Sequence, residues 1–89
     1  MPHISNEKIN KIIEQVIQFL YTKFPNPLFT SEIAKEVARD EEFMKDLLLL
    51  LEKKGLVVKI TKNPEGYEYK IRLRWRLSNK AQETYSGLQ

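Results

Sequence analysis

Lys70, Arg72, Arg74 and Arg76 occupy every second position of one stretch. On an extended strand this spacing puts all four on one face, about 7 Å apart, twice the rise per residue. Glu68 shares that face, while Tyr67, Tyr69, Ile71, Leu73, Trp75 and Leu77 share the other. The planar fork of an arginine suits phosphate oxygens. Along one DNA strand phosphates recur about every 3.4 Å, so alternate ones match the spacing of the cations. Three or four phosphates per chain come within reach, with Lys59 and Lys62 on the preceding segment assisting. The same residues allow a plainer reading, in which cations keep a sheet edge from pairing with another chain. Asn63, Pro64, Glu65 and Gly66 form a turn-prone tip between the two segments. If Lys62 pairs with Tyr67, Lys59 lies opposite Lys70, an unfavourable pairing of like charges unless an anion bridges them.

Other chemistries find no support in the sequence. There is no cysteine, and His3 is the single histidine, so neither a disulfide nor a Cys/His zinc site is expected. His3 reads as part of a solvated terminus. Gly55, Gly66 and Gly87 lie too far apart for a phosphate-cradling glycine loop. No Ser/His/Asp or Cys/His set can be assembled, so no enzyme and no cofactor is expected. Asp40, Glu41 and Glu42 are adjacent acids where a helix begins, and they read as partners of its positive end rather than as metal ligands.

These cations need a scaffold, and residues 30–62 supply its pattern. Thr30 is placed to cap a helix carrying Ile33, Ala34, Val37 and Ala38 at helical spacing. Asp40 is placed to cap a second helix. Its apolar line is Met44, Leu48 and Leu51, with Leu47, Leu50 and Phe43 widening that face and Leu49 outside it. Gly55 follows Lys53 and Lys54 as the stop, and residues 56–62 read as a strand. Between residues 40 and 54 there is no Arg, Asn or Gln to make a bidentate base contact; Lys45, Lys53 and Lys54 are the cations.

The run IAKEVA, a leucine-bearing helix and then EKKGLV resembles a winged helix-turn-helix domain. Residues 76–83, RLSNKAQE, resemble the turn that follows the wing in multiple-antibiotic-resistance and phenolic-acid-regulator type repressors. The resemblance covers residues 28–85. Two features depart from it: the inter-helix turn reads Ala38-Arg39-Asp40 without a glycine, and the second helix opens with three acids. The resemblance implies an α+β winged helix: a three-helix core with a helix-turn-helix, a C-terminal β-hairpin wing and a short extra C-terminal helix. It further implies a cytoplasmic, homodimeric transcription regulator that binds double-stranded DNA.

Ahead of this unit, residues 6–24 repeat Ile9, Ile12, Ile13, Val16, Ile17, Leu20 and Phe24 at steps of three and four. Ser5 or Asn6 is placed to cap this helix, and Pro25 and Pro27 end it. The stripe either packs wholly on the helix-turn-helix or also forms a dimer contact through Ile9, Ile13, Ile17 and Leu20, aided by Tyr85. Leu28-Phe29 is expected as a very short strand pairing with the hairpin. Ser78 is placed to cap a last helix over residues 79–85. The 89 residues make one domain, with residues 1–4 and 86–89 expected as loose termini.

The net charge of +3 is unevenly spread: residues 1–54 carry 8 basic and 9 acidic side chains, residues 55–89 carry 7 and 3. The positive field therefore belongs to the C-terminal segment, where a nucleic-acid contact would need it. No apolar run approaches the ~18 residues of a membrane span. No cationic-then-apolar leader opens the sequence, so a secretory signal is not expected. The alternative reading is a protein-interaction winged helix, with the leucine-rich helix 40–54 docking on a protein partner.

Overall fold

The computed structural model describes residues 6–60 and 73–87. In chain order the elements are α1 (Asn6–Lys23), β1 (Leu28–Phe29), α2 (Thr30–Glu36), α3 (Glu41–Lys53), β2 (Val57–Ile60), β3 (Arg74–Leu77) and α4 (Asn79–Gly87). The architecture is the α+β winged helix anticipated above. His3, the turn-prone tip at 63–66, and Lys62, Lys70 and Arg72 lie outside the described residues. Among the described residues no helix is long and apolar enough to cross a membrane.

The helix stripe of residues 6–24 buries Ile12, Val16 and Leu20 and leaves Ile9, Ile13, Ile17 and Phe24 half-buried beside them. The core continues through Ile33 and Ala34 of α2, then Met44, Leu47, Leu48 and Leu51 of α3. Val57, Trp75 and Leu77 of the sheet and Ala81 of α4 close it. Within α3 one expectation changes. Leu50, assigned to the apolar face, is 42% exposed. Leu49, assigned to solvent, is half-buried and packs against the core. Leu50 sits at the margin of the arc centred on Met44, Leu48 and Leu51, where a rotation of a few tens of degrees decides burial.

Both helices of the helix-turn-helix stop in the same way. At the end of α3 the N–H of Leu56 bonds to Leu51 O at 3.0 Å and that of Gly55 to Glu52 O at 2.9 Å. At the end of α2 the N–H of Arg39 bonds to Ala34 O at 2.9 Å and that of Ala38 to Lys35 O at 3.2 Å. Each is a Schellman motif, which needs one left-handed residue. Gly55 adopts φ 79° without penalty, whereas Ala38 holds φ 55° with a Cβ. A left-handed alanine costs roughly 1–2 kcal/mol. Glycine would remove that strain while giving back part of it as added freedom in the unfolded chain. Ala38→Gly is therefore expected to stabilise the protein by up to about 1 kcal/mol, seen as a higher urea midpoint at unchanged slope. A lower midpoint would contradict it.

Asp40 caps α3 as expected, its two carboxylate oxygens accepting from the N–H groups of Glu42 and Phe43 at 3.2 and 3.1 Å. Thr30 does not cap α2. Phe29 occupies the cap position, and its N–H bonds back to Glu32 Oε1 at 3.0 Å. Thr30 is instead the first helical residue, and its hydroxyl is buried against β3. It accepts from Trp75 Nε1 at 2.8 Å and faces Leu73 O at 3.4 Å as a donor. The indole N–H needs a partner once buried, and this hydroxyl supplies it. Ser78 caps α4 by accepting from Ala81 N at 3.1 Å, and its hydroxyl donates to Gly55 O at 2.8 Å. Helix α4 runs to Gly87, so residues 86 and 87 are helical rather than frayed.

Candidate nucleic-acid interface

The sheet order is β1-β3-β2, antiparallel throughout. Opposed residues share a face, so the register sorts the cations. Leu28 and Lys59 lie opposite Trp75, and Val57 opposite Leu77, on the face turned to the helices. Phe29 and Ile60 lie opposite Arg74, and Val58 opposite Arg76, on the outer face. The alternation expected for this strand thus holds over its described part: Trp75 and Leu77 are buried, Arg74 and Arg76 half-buried on the other side.

Lys59 is displaced from its expected place. Sequence pairing set it opposite Lys70, on the basic face; the structure pairs it with Trp75, five positions further along the chain. An odd shift of register moves a side chain to the other face. Lys59 is exposed at the edge of the sheet, away from the face of Arg74 and Arg76.

The two described arginines are held by their own fold. The guanidinium of Arg74 lies 5.8 Å from the ring centroid of Phe29, and that of Arg76 lies 5.8 Å from that of Phe24. Such stacking fixes a flat cation over a ring. Arg76 Nη1 also donates to Leu77 O at 2.8 Å and reaches Asn79 Oδ1 at 3.4 Å, tying β3 to the start of α4. Arg76 is therefore partly committed to structure.

Lys45 is exposed on α3 beside a cleft of about 400 Å³ between the first turns of α2 and α3. Phe29, Thr30, Asp40, Glu41 and Glu42 also line it. Its electrostatic character is mixed, with three carboxylates around one ammonium. Residues 40–54 hold no bidentate donor, but Arg39 stands immediately before them. This exposed residue sits in the turn ahead of α3, its guanidinium 5.9 Å from the centroid of the Phe43 ring. The i, i+4 spacing of Arg39 and Phe43 was the available signal.

The residues proposed for a second chain divide. Leu20 is 1% exposed and belongs to the core of the single chain, so it offers a partner no surface. Ile9, Ile13 and Ile17 are half-buried. The Tyr85 ring packs against Tyr21 of α1 with centroids 4.7 Å apart and planes tilted by 58°, fastening α4 to α1. Among the described residues no group of acids and histidines is arranged to hold a metal ion.

No protein-family model matches the chain. No curated protein matches it. Solved structures do. The Staphylococcus aureus MepR–DNA complex superposes with a TM-score of 0.66 at 23% identity, covering 96% of this chain and 64% of that one. MepR described as a transcription regulator of the multidrug efflux pump MepA gives 0.61 at 23% identity, over 96% and 57%. Transcriptional regulator PA4135 gives 0.68 at 20% identity, over 88% and 53%. The chain thus spans between about half and two thirds of the length of these regulators. The likeness establishes the fold, a winged helix like that of these regulators.

Proposed function

We propose that this chain binds double-stranded DNA as a homodimeric transcription regulator. The observation that carries the reading is the placement of charge on this fold. Residues 55–89 hold 7 basic and 3 acidic side chains; of the described ones, Lys59, Arg74 and Arg76 lie on the strands of the sheet and Lys80 lies in the first turn of α4. MepR, with the same fold, has been solved with DNA. The phosphate contacts are assigned to Lys45, Lys62, Lys70, Arg72 and Arg74; Lys59 is left out because its register puts it on the other face, and Arg76 contributes less because of its bonds to Leu77 and Asn79. The dimer contact is assigned to Ile9, Ile13 and Ile17 on α1, with Tyr85 buttressing that helix through Tyr21.

Anisotropy titrations of the wild type across a salt series test the proposal. Affinity for any duplex should fall steeply with salt, and each phosphate contact removed should lower the magnitude of the log–log slope by about 0.9. Arg72→Ala and Arg74→Ala are expected to weaken binding to all duplexes alike and to flatten the slope. Sedimentation of the same sample should give twice the monomer mass. Absence of binding even at low salt would sink the DNA reading; a monomer would sink the dimer alone.

One observation favours a second reading. Leu50 is 42% exposed on a helix whose first turn carries Glu41 and Glu42, an apolar point among acids that a protein partner could cover. A protein partner at α3 replaces DNA if the salt series fails.

A further inference from the structure

We infer that Arg39 makes the base contact of the helix-turn-helix, reading guanine from the turn that precedes α3. The inference rests on the DNA-binding reading above. In a helix-turn-helix the N-terminal residues of the second helix are the ones that reach base edges. Here α3 offers carboxylates and lysines but no bidentate donor. Arg39 stands immediately before its cap and supplies the missing group.

The backbone of Arg39 is held and its guanidinium rests near an aromatic ring. The backbone N–H of Arg39 is bonded to Ala34 O at 2.9 Å, following the left-handed Ala38. The guanidinium lies 5.9 Å from the centroid of Phe43, whose ring is half-buried and packs against the core. Asp40, the adjacent acid, is engaged elsewhere, its two oxygens accepting from Glu42 N and Phe43 N. The side chain remains exposed. A side chain already ordered loses less freedom on binding, so more of its hydrogen-bond energy appears as affinity.

The neighbours decide between base and phosphate. Glu41 and Glu42 are exposed in the first turn of α3 and repel a phosphate brought to this end. In the major groove a carboxylate has a proper partner, the N4 amine of cytosine, while arginine takes the O6 and N7 pair of guanine. Arg39, with Glu41 and Glu42 two and three residues on, thus supplies in one short segment the residue types that match the two bases of a G·C pair. The acids that disfavour a phosphate beside Arg39 become part of the readout, while the phosphate contact of α3 is left to Lys45, one turn further on.

The test compares duplexes enriched from a random-sequence pool by the wild-type protein with scrambled duplexes of equal length, at one salt concentration. The enriched set should contain a G·C pair in common. Arg39→Ala should lose roughly 5- to 150-fold in affinity for the enriched duplex, the usual worth of one bidentate contact, and little for the scrambled one. Arg39→Lys should not restore the difference, because a single ammonium lacks the fork. Circular dichroism should show both variants folded, since the side chain is exposed. Equal weakening on both duplexes with a salt slope reduced by about 0.9 would make Arg39 a phosphate contact and overturn the inference. So would unchanged binding, or enrichment of A·T pairs alone. In those cases DNA binding itself stands. If the wild type binds no duplex at low salt, the DNA reading fails, and the inference with it.

Discussion

Trp75→Ala is expected to cost about 3–5 kcal/mol, the range for a fully buried aromatic truncated to a methyl group. Trp75 has no exposed surface and is the largest of the fully buried side chains. Domains of this kind are stable by only about 5–15 kcal/mol, so this one substitution removes a large share of the total. A fall in melting temperature of more than ~12 °C should accompany it, at roughly 4–8 °C per kcal/mol for a chain of this size. Part of the loss is polar, because the Thr30 hydroxyl loses the indole donor at 2.8 Å. The pair Trp75→Phe and Thr30→Val isolates that part. Thr30→Val alone leaves a buried N–H unpaired, at a cost of about 1–3 kcal/mol. The double variant should therefore lose less than the two single losses added together. Strict additivity would show that the bond carries no coupling.

Leu48→Ala is the second large effect, expected at roughly 2–5 kcal/mol for a leucine truncated in a packed core. Leu48 is 0% exposed, whereas Leu50, two positions on, is 42% exposed. Leu50→Ala should change stability by no more than about 0.5 kcal/mol, the usual limit for surface substitutions. Urea denaturation of both variants decides the matter. Equal, small losses at the two positions would mean that α3 is rotated from the orientation described.

The features legible in the sequence were those governed by neighbours a few residues away. Asp40 and Ser78 as caps, Gly55 as a stop, and the isoleucine stripe of α1 each follow from local geometry. The short strand at Leu28-Phe29 was legible because Pro25 and Pro27 force an extended link just before it. What escaped depended on distant partners. The hydroxyl of Thr30 satisfies local rules for a cap, but a buried indole 45 residues away claims it. Register was misplaced because it was counted from a pairing of Lys62 with Tyr67, which sets Val57 opposite Arg72 on the basic face; the structure buries Val57 opposite Leu77, an odd shift away. Of the candidate site, the strand of alternating arginines was visible. Their stacking on Phe24 and Phe29 was not, since those rings arrive from a separate part of the chain. Arg39 was overlooked for a different reason, as a turn residue whose partner lies on the next helix.

The position of β3 between β1 and β2 has a consequence for how the chain is made. The strand that completes the sheet comes late in the sequence, and it carries both Trp75 and Leu77 into the core. A nascent chain that has reached Ile60 already contains α1, α2 and α3, yet it lacks the side chains at the centre of their packing. The buried threonine at the head of α2 has no indole to bond, and the first β-strand has no neighbour to pair with. Closing so long a loop is entropically slow and is repaid only when it shuts. The core therefore cannot close in its final form until β3 has been made.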